Sequence, residues 1–424
     1  MKAIVSHPHG NANLRAVLRG LHRAGLLARF VTTLGFAEDR PVPAWLPGSL
    51  RAELNRRAYP LPRALLATAP LRETIRLAAT RQSWPSLTAH ERGWASIDAV
   101  WRETDRRTAA LVREGAAGPD LGAVYAYEDG ALETFRAAKR RGLACIYDLP
   151  IGFHRSAQRL FAEERELMPE FAASLTGLHD SPEKLARKQE EIELADRIVA
   201  CSPFVAETLT ENGIPAAKIE PVQFGVAASP PLPLRPPLTR TEPLKLLFVG
   251  RIGQRKGIGY LLKAMESFRP ADLRLTLLGT IDGPPEALQP YAARFDYLPP
   301  RPQAEVFQIM AQHDLLVLPS LFEGQALVIL EAMQCGLPVL ITPNTGAAHL
   351  VEEGRNGFVV PIRSPERIAE RLAWCLEHRD QLRAMGDAAR ETAGHLTWRS
   401  YEESIVRIIR EGMISSAPSG KFLA

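Results

Sequence analysis

The chain has 424 residues, beyond the roughly 250 to 300 at which single hydrophobic cores stop growing, so two domains are expected. Lys and Arg total 52 against 48 Asp and Glu, a balance that argues for no particular polyanion as partner. Cys145, Cys201, Cys335 and Cys375 are scattered without a CxxC pair, which predicts reduced thiols and a cytoplasmic location, and no run of ~20 apolar residues predicts a membrane span.

In chain order, 2–6 reads as a parallel strand, and the loop His7-Pro8-His9-Gly10-Asn11-Ala12-Asn13 leads into a helix over 14–24 with Leu14, Val17, Leu18 and Leu21 on one face. The turn lacks GxGxxG, which argues against a nicotinamide or flavin site of the usual kind. From 37 to 113 the pattern is helical and broken by prolines. Between Arg51 and Arg81 lie seven Arg, no Lys, and only Glu53 and Glu73 on the acidic side, with Leu54, Tyr59, Leu65, Leu66, Leu71, Ile75 and Leu77 interleaved and Trp84 and Trp94 following. Such a stretch fits either a basic amphipathic surface for an anionic membrane or a lipid-diphosphate acceptor, or ordinary helices with solvated Arg faces.

The βα rhythm then resumes, with a strand over 123–127, a helix over 130–141 and a strand over 144–148. Open α/β sheets bind ligands at the carboxyl ends of their strands, which makes Glu128-Asp129 and the loop from Pro150 to Arg155 candidate site segments. A charged helix over 183–195, a strand over 196–201 and a helix over 203–212 precede a stretch, 226–243, with six prolines in eighteen residues. That composition predicts a semi-rigid linker, placed at 229–243 between a first domain, 1–228, with 37–113 as a helical insertion, and a second, 244–397.

The second domain opens with a strand over 244–250, then Arg251-Ile252-Gly253-Gln254-Arg255-Lys256-Gly257 and a helix to about 268. Three bases before a helix N-terminus oppose its dipole. Either the turn is exposed and tolerates this, or a bound diphosphate removes the mismatch. Of the three, Arg255 is expected to be exposed. Strands over 273–279 and 295–298 and a helix over 303–312 lead to the stretch DLLVLPSLFEGQALVILEAMQCGLPVLIT, 314–342. It reads as a strand over 315–318, a loop, a helix from about Gln325 and a strand over 339–341. Glu323 lies at the helix mouth, and Glu331 sits among apolar neighbours, so its carboxylate needs donors. Those donors are a Lys or Arg of another element, or the vicinal hydroxyls of a ribose. A short helix over 346–353, a strand over 357–361 and helices from 365 and 379 follow. A last helix over 398–412 is expected to cross back to the first domain, ahead of a disordered tail from 415.

The E-x7-E spacing of Glu323 and Glu331 inside EGQALVILEAMQCGLPV, with VGR-x4-K-G at Arg251 and Lys256, resembles the donor-site signatures of retaining GT-B glycosyltransferases of family 4, glycosyl transferases group 1. The resemblance spans most of the chain, strongest over 244–362, and departs from the family pattern at Gln325, Ala326 and Ala227. It implies an α/β GT-B fold, two Rossmann-like βαβ domains facing across a cleft. It also implies retaining hexosyl transfer from a nucleotide-diphosphate sugar to a hydroxyl acceptor, a sugar or lipid-linked sugar, in surface polysaccharide or glycolipid assembly, with no nucleic-acid partner. By the same resemblance Arg251 and Lys256 neutralise the donor phosphates, Glu323 contacts the donor sugar, and Glu331 holds the ribose. Gly324, Gln325, Ala326 and Leu327 line the donor site, and Gly10 and Asn13 face the cleft. His154, with Asp148 as a rival, reaches the donor sugar and the acceptor end. No DxD motif occurs, so neither a metal nor a cofactor is expected, the basic pair serving the leaving diphosphate instead. The alternative is a GT-B scaffold that binds a nucleotide sugar without turning it over, as a partner subunit. The predicted location is cytoplasmic, with peripheral contact at the inner face of the membrane through 51–94.

Overall fold

The computed structural model describes residues 1–227, 229 and 242–415. The first half runs β1 (Lys2–Ser6), α1 (Ala12–Arg23), β2 (Leu27–Thr32), α2 (Gly48–Asn55), β3 (Leu66–Thr68), α3 (Leu71–Arg81), α4 (Pro85–Thr88), α5 (Ile97–Arg113), β4 (Leu121–Tyr127), α6 (Leu132–Arg140), β5 (Ala144–Leu149), α7 (His154–Leu167), α8 (Pro182–Leu194), β6 (Arg197–Ala200), α9 (Pro203–Thr210) and β7 (Ile219–Pro221). The second half runs β8 (Leu244–Val249), α10 (Ile258–Met265), β9 (Leu273–Leu278), β10 (Phe295–Leu298), α11 (Gln303–Met310), β11 (Leu315–Leu318), α12 (Leu327–Gln334), β12 (Val339–Ile341), β13 (Gly357–Val359), α13 (Pro365–Glu377), α14 (Gln381–Gly394) and α15 (Trp398–Ser415).

The strands form two all-parallel sheets, ordered β3-β2-β1-β4-β5-β6-β7 and β10-β9-β8-β11-β12-β13. Helices cover both faces of such sheets, so their central strands read as unbroken apolar runs. β11, with the sequence LLVL, is buried at every residue, and β4 likewise. Chain direction across the sheet reverses between β1 and β4 in the first and between β8 and β11 in the second. Those switch points are where open α/β sheets leave a crevice beyond the strand ends.

Neither core is closed by its own half alone. Tyr401, Ile405, Ile408, Ile409 and Met413, at helical spacing along α15, join the core of the first sheet, and α15 packs on α1. In the other direction Met168 and Phe171, from the segment after α7, join the core of the second sheet.

Several elements differ from the sequence reading. β2 and β3 extend the first sheet at its edge, β3 inside a region read as helical, because Ala28 and Arg29 break the apolar run of β2 and β3 has three residues, too few for a period. His154 opens α7 rather than lying in a loop. In the central stretch the helix begins at Leu327, not Gln325, because the Ala326 amide donates to Thr345 O at 3.1 Å and holds the preceding residues out of helical geometry. The helix expected over 346–353 is a pair of short 3-10 turns, Pro343–Thr345 and Ala348–Leu350. Most of the linker expected at 229–243, and the tail beyond Ser415, lie outside the described residues.

Candidate functional site

The loop after β8 and the loop after β11 leave the second sheet side by side and are knitted together. Leu321 N donates to Arg255 O at 2.8 Å, and Arg255 Nη1 donates to Phe322 O at 3.0 Å. Gly257, at φ +72°, ends the first loop in a left-handed turn where a Cβ would also lie 2.0 Å from Pro319 O, so two requirements for glycine coincide.

Glu323 is the centre of this arrangement. Its Oε1 lies 2.7 Å from Lys256 Nζ and its Oε2 2.8 Å from Arg255 Nη1, all three groups being largely removed from solvent. Burial opposes the Glu323 charge, but Lys256 and Arg255 outweigh it and hold the carboxyl below the usual range. Burial lowers the Lys256 ammonium, with Arg255 adding repulsion and Glu323 offsetting part of the effect. Arg255 is therefore not the exposed residue expected from sequence; with 27% of its side chain exposed, it is a partner of Glu323. Two cations against one carboxylate leave the cluster one positive charge in excess.

Arg251 projects from the same loop with 62% of its side chain exposed, and Asp282, after β9, receives its guanidinium through both oxygens, the Nε bond at 2.7 Å. Glu331 lies on α12, half-buried, and accepts from Gln303 Nε2 at 2.6 Å; burial raises its carboxyl above the usual value. Its described partner is thus an amide, neither of the two donor classes open from sequence.

The first half meets this surface directly. Ser202 Oγ donates to Gly324 O at 2.6 Å and Gly152 N to Glu323 O at 3.3 Å. A Cβ on Gly324 would lie 1.8 Å from Pro150 O, so the two halves touch backbone to backbone here. Gln325 is spent on the same contact: its Oε1 accepts from Phe224 N at 2.8 Å and its Nε2 donates to Gln223 Oε1 at 2.7 Å. The Ala326 amide is taken by Thr345, and Leu327 is the first helical residue.

Two residues beyond Gly152, His154 is buried at the start of α7, against the Phe153 ring at 4.2 Å between centroids, with Nδ1 unpartnered. Burial, then Lys188 and Arg155, push its imidazole down to about 4, so it is neutral at physiological pH. Asp148, at the end of β5, is fully buried and accepts from Tyr125 Oη at 2.5 Å; burial pushes its carboxyl up to about 7 against the pull of the Tyr125 and Tyr127 hydroxyls. Gly10 sits against the Tyr59 ring, and Asn13 Nδ2 donates to Tyr127 Oη at 3.2 Å. Lys256, Glu323 and Gly324 are thus brought together, with His154 close by in chain. The described contacts of Gly10 and Asn13 are with Tyr59 and Tyr127 of the first half and, for Asn13, also with Tyr401 of α15, and none is with the Lys256–Glu323 cluster.

Sequence reasoning missed Ser202, Asp282 and the partners of Gln254. Ser202 carried only the signal of an N-cap before Pro203, which it also is, and an acid in a Gly-Pro loop gives no pattern at all. His90, Glu91 and Asp180 bring three potential metal ligands within 4.8 Å, but Lys184 Nζ already occupies Asp180 Oδ1 at 2.9 Å, so no metal is assigned there.

Residues 243–378 match the family model described as glycosyl transferases group 1. A D-inositol 3-phosphate glycosyltransferase from Nocardia farcinica is 31% identical over 256 residues, 54% of this chain and 56% of that protein. The chain spans about half the length of the curated relatives it matches. Among solved structures, a sucrose-phosphate synthase from Thermosynechococcus elongatus superposes with a TM-score of 0.66 at 17% identity, over 98% of this chain and 100% of that one. HepE from Anabaena, in complex with UDP, superposes with a TM-score of 0.62 at 16% identity, over 97% and 100%. The chain therefore has the GT-B fold, and its residues 243–378, which carry Arg251, Lys256, Glu323 and Glu331, are similar to the glycosyl transferases group 1.

Proposed function

We propose that this protein is a retaining, metal-independent hexosyltransferase that moves a sugar from a nucleotide-diphosphate donor to a hydroxyl acceptor, in the assembly of a surface polysaccharide or glycolipid. The observation that carries this reading is the Lys256–Glu323–Arg255 cluster at the switch point of the second sheet. Its single excess positive charge, beside the exposed Arg251, suits a diphosphate, which carries the charge the cluster lacks.

In this reading Lys256 and Arg251 hold the diphosphate as it leaves. Glu323 meets the donor sugar and Glu331 the ribose hydroxyls, exchanging Gln303 for them. The amides of Gly324 and Gln325, with Ala326 and Leu327, line the donor. Gly10 and Asn13 face it from the first sheet. His154, neutral at pH 7, serves the acceptor end as a hydrogen-bonding group, with Asp148 as the rival. The departing phosphate, on the same face as the acceptor hydroxyl, takes its proton. What supports metal independence is the basic pair together with the lack of a DxD sequence. The UDP bound by HepE makes a uridine donor the first to try.

Peripheral attachment to an anionic membrane is part of the proposal. No helix among the described residues is long and apolar enough to cross a membrane. Among the described residues, six of the ten exposed large apolar side chains, Trp45, Leu50, Leu71, Trp84, Trp94 and Ile97, fall in or beside the Arg-rich segment 51–94. Exposed aromatics among arginines suit the headgroup layer of a membrane with negative lipids.

The test incubates purified protein with UDP-, GDP-, ADP- and dTDP-sugars and a panel of sugar and lipid-linked acceptors in EDTA, and assigns the product anomer by NMR. An α-linked product from an α-linked donor is expected. Binding of a nucleotide without turnover over the whole panel would instead assign the non-catalytic scaffold.

A further inference from the structure

The segment after β5 leaves the first sheet and lies on the second. Glu164, on α7, has no exposed surface. Its Oε1 accepts from Gln254 Nε2 at 2.7 Å, and its Oε2 accepts from Arg363 Nε at 2.8 Å and Tyr260 Oη at 3.2 Å. A buried carboxylate persists when it is paired and its lone pairs are filled, and here a cation and two neutral donors do both. Arg363 is itself fixed, at φ +59°, by Glu163 Oε2 at 2.9 Å and Leu160 O at 3.0 Å.

Gln254 is the middle residue of the loop from Arg251 to Gly257, and each of its polar handles is used. Its amide donates to Ser174 Oγ at 2.9 Å, and its Oε1 accepts from Gly259 N at 3.0 Å. Two of the three contacts therefore come from one excursion of the first half, residues 154–174, and the third ties the loop to its own helix. Met168 and Phe171, between Glu164 and Ser174, are buried in the second core, so the excursion is anchored and not merely adjacent. The same helix opens at His154, ten residues and about 15 Å of α-helix away from Glu164.

We propose that Glu164 is a positioning residue for the donor site: by fixing Gln254 it sets the loop that presents Arg251 and Lys256. This rests on the reading of the 251–257 loop as the diphosphate site. Lys256 stands two residues from Gln254, and a loop released from Glu164 and Ser174 loses the geometry that puts its ammonium 2.7 Å from Glu323. The consequence belongs to donor binding and not to the acceptor.

The experiment measures, for wild type, Glu164→Gln and Ser174→Ala, the Kd of the nucleoside diphosphate that wild type binds, donor and acceptor KM, and Tm. Glu164→Gln keeps the shape and removes the charge, and Ser174→Ala leaves the Glu164–Arg363 pair intact. Both are expected to raise the diphosphate Kd and donor KM about tenfold, the loss expected for a hydrogen bond to a charged or buried group, with acceptor KM unchanged. Should Glu164→Gln fail to fold, Ser174→Ala decides alone. Folded variants with wild-type Kd and donor KM overturn the positioning role, as does a parallel rise in donor and acceptor KM. Wild type that binds no nucleoside diphosphate overturns the reading of the loop and this inference with it, whereas an effect confined to the variants' Tm overturns only the inference.

Discussion

Glu323 and Lys256 are each other's partners before any ligand arrives, and substitutions at the two should therefore differ in kind. Glu323→Gln removes the carboxylate and leaves Lys256 and Arg255 in place with more positive charge to offer an anion. Transfer is expected to fall by about 10²- to 10³-fold, as when one group that stabilises a transition state is removed, while the nucleoside diphosphate Kd stays level or tightens. Lys256→Ala is expected to weaken the diphosphate and leave Glu323 with Arg255 alone. Stopped transfer with equal losses of nucleotide binding in both variants, measured by calorimetry, contradicts this division of roles. Asp148 gives a second prediction at this scale. Burial pushes its carboxyl from 3.8 up to about 7, so the folded protein keeps a proton that the unfolded chain releases. Its contribution to stability is present at acid pH and is lost as pH rises from about 4 to about 7, a span worth about 4 kcal/mol. Asp148→Asn lacks this titration and still offers Tyr125 an acceptor. The Tm of the variant relative to wild type should therefore climb across that window and stay flat above it. A difference in Tm that is constant from pH 4 to 8 contradicts the raised pKa.

Single elements carry the joints between the two sheets. α15 buries Tyr401, Ile405, Ile408 and Ile409 against the first sheet although it follows the second in chain order, so it ties the molecule together. Ile405→Ala, at a site with no exposure, is expected to cost about 2 to 5 kcal/mol by denaturant unfolding. A loss below half a kilocalorie, about that of a surface change, contradicts the packing. Gly324 marks the opposite joint: with Pro150 O where a Cβ would go, Gly324→Ala forces the loops apart and should abolish transfer while far-UV circular dichroism is unchanged. The apolar runs of β8, β11 and β12 and the amphipathic pattern of α15 were legible in the sequence because burial on both faces, or along one stripe, leaves a period. β3 was not, since three residues at a sheet edge leave none. The start of α12 was misread because a tertiary bond, Ala326 N to Thr345 O, overrode a local pattern that continues smoothly through Gln325.

At the scale of the whole molecule, the sequence motifs located the switch point of the second sheet because the bases and acids there are concentrated in two short loops. What they could not locate was who faces whom across the cleft. Glu164 lies 90 positions from Gln254 in the chain, within a run of charged residues that reads as a solvated helix face, and no spacing connects them. The segment 51–94 posed the opposite difficulty: its composition was visible, and the choice between a membrane surface and ordinary solvated helices turns on which apolar side chains the fold leaves outside. Flotation with phosphatidylglycerol vesicles should recover the protein at low salt, with recovery falling at high salt and in Trp45→Ala, Trp84→Ala and Trp94→Ala; equal recovery on neutral vesicles contradicts an electrostatic surface. The loops after β8 and β11 are proposed to form a donor site that needs no metal. Calorimetric titration of the purified protein with UDP, GDP, ADP and dTDP in EDTA tests it most directly. Saturable binding of one of these nucleotides at one site, weakened in Lys256→Ala, is expected, and binding of none of them would contradict a donor site there.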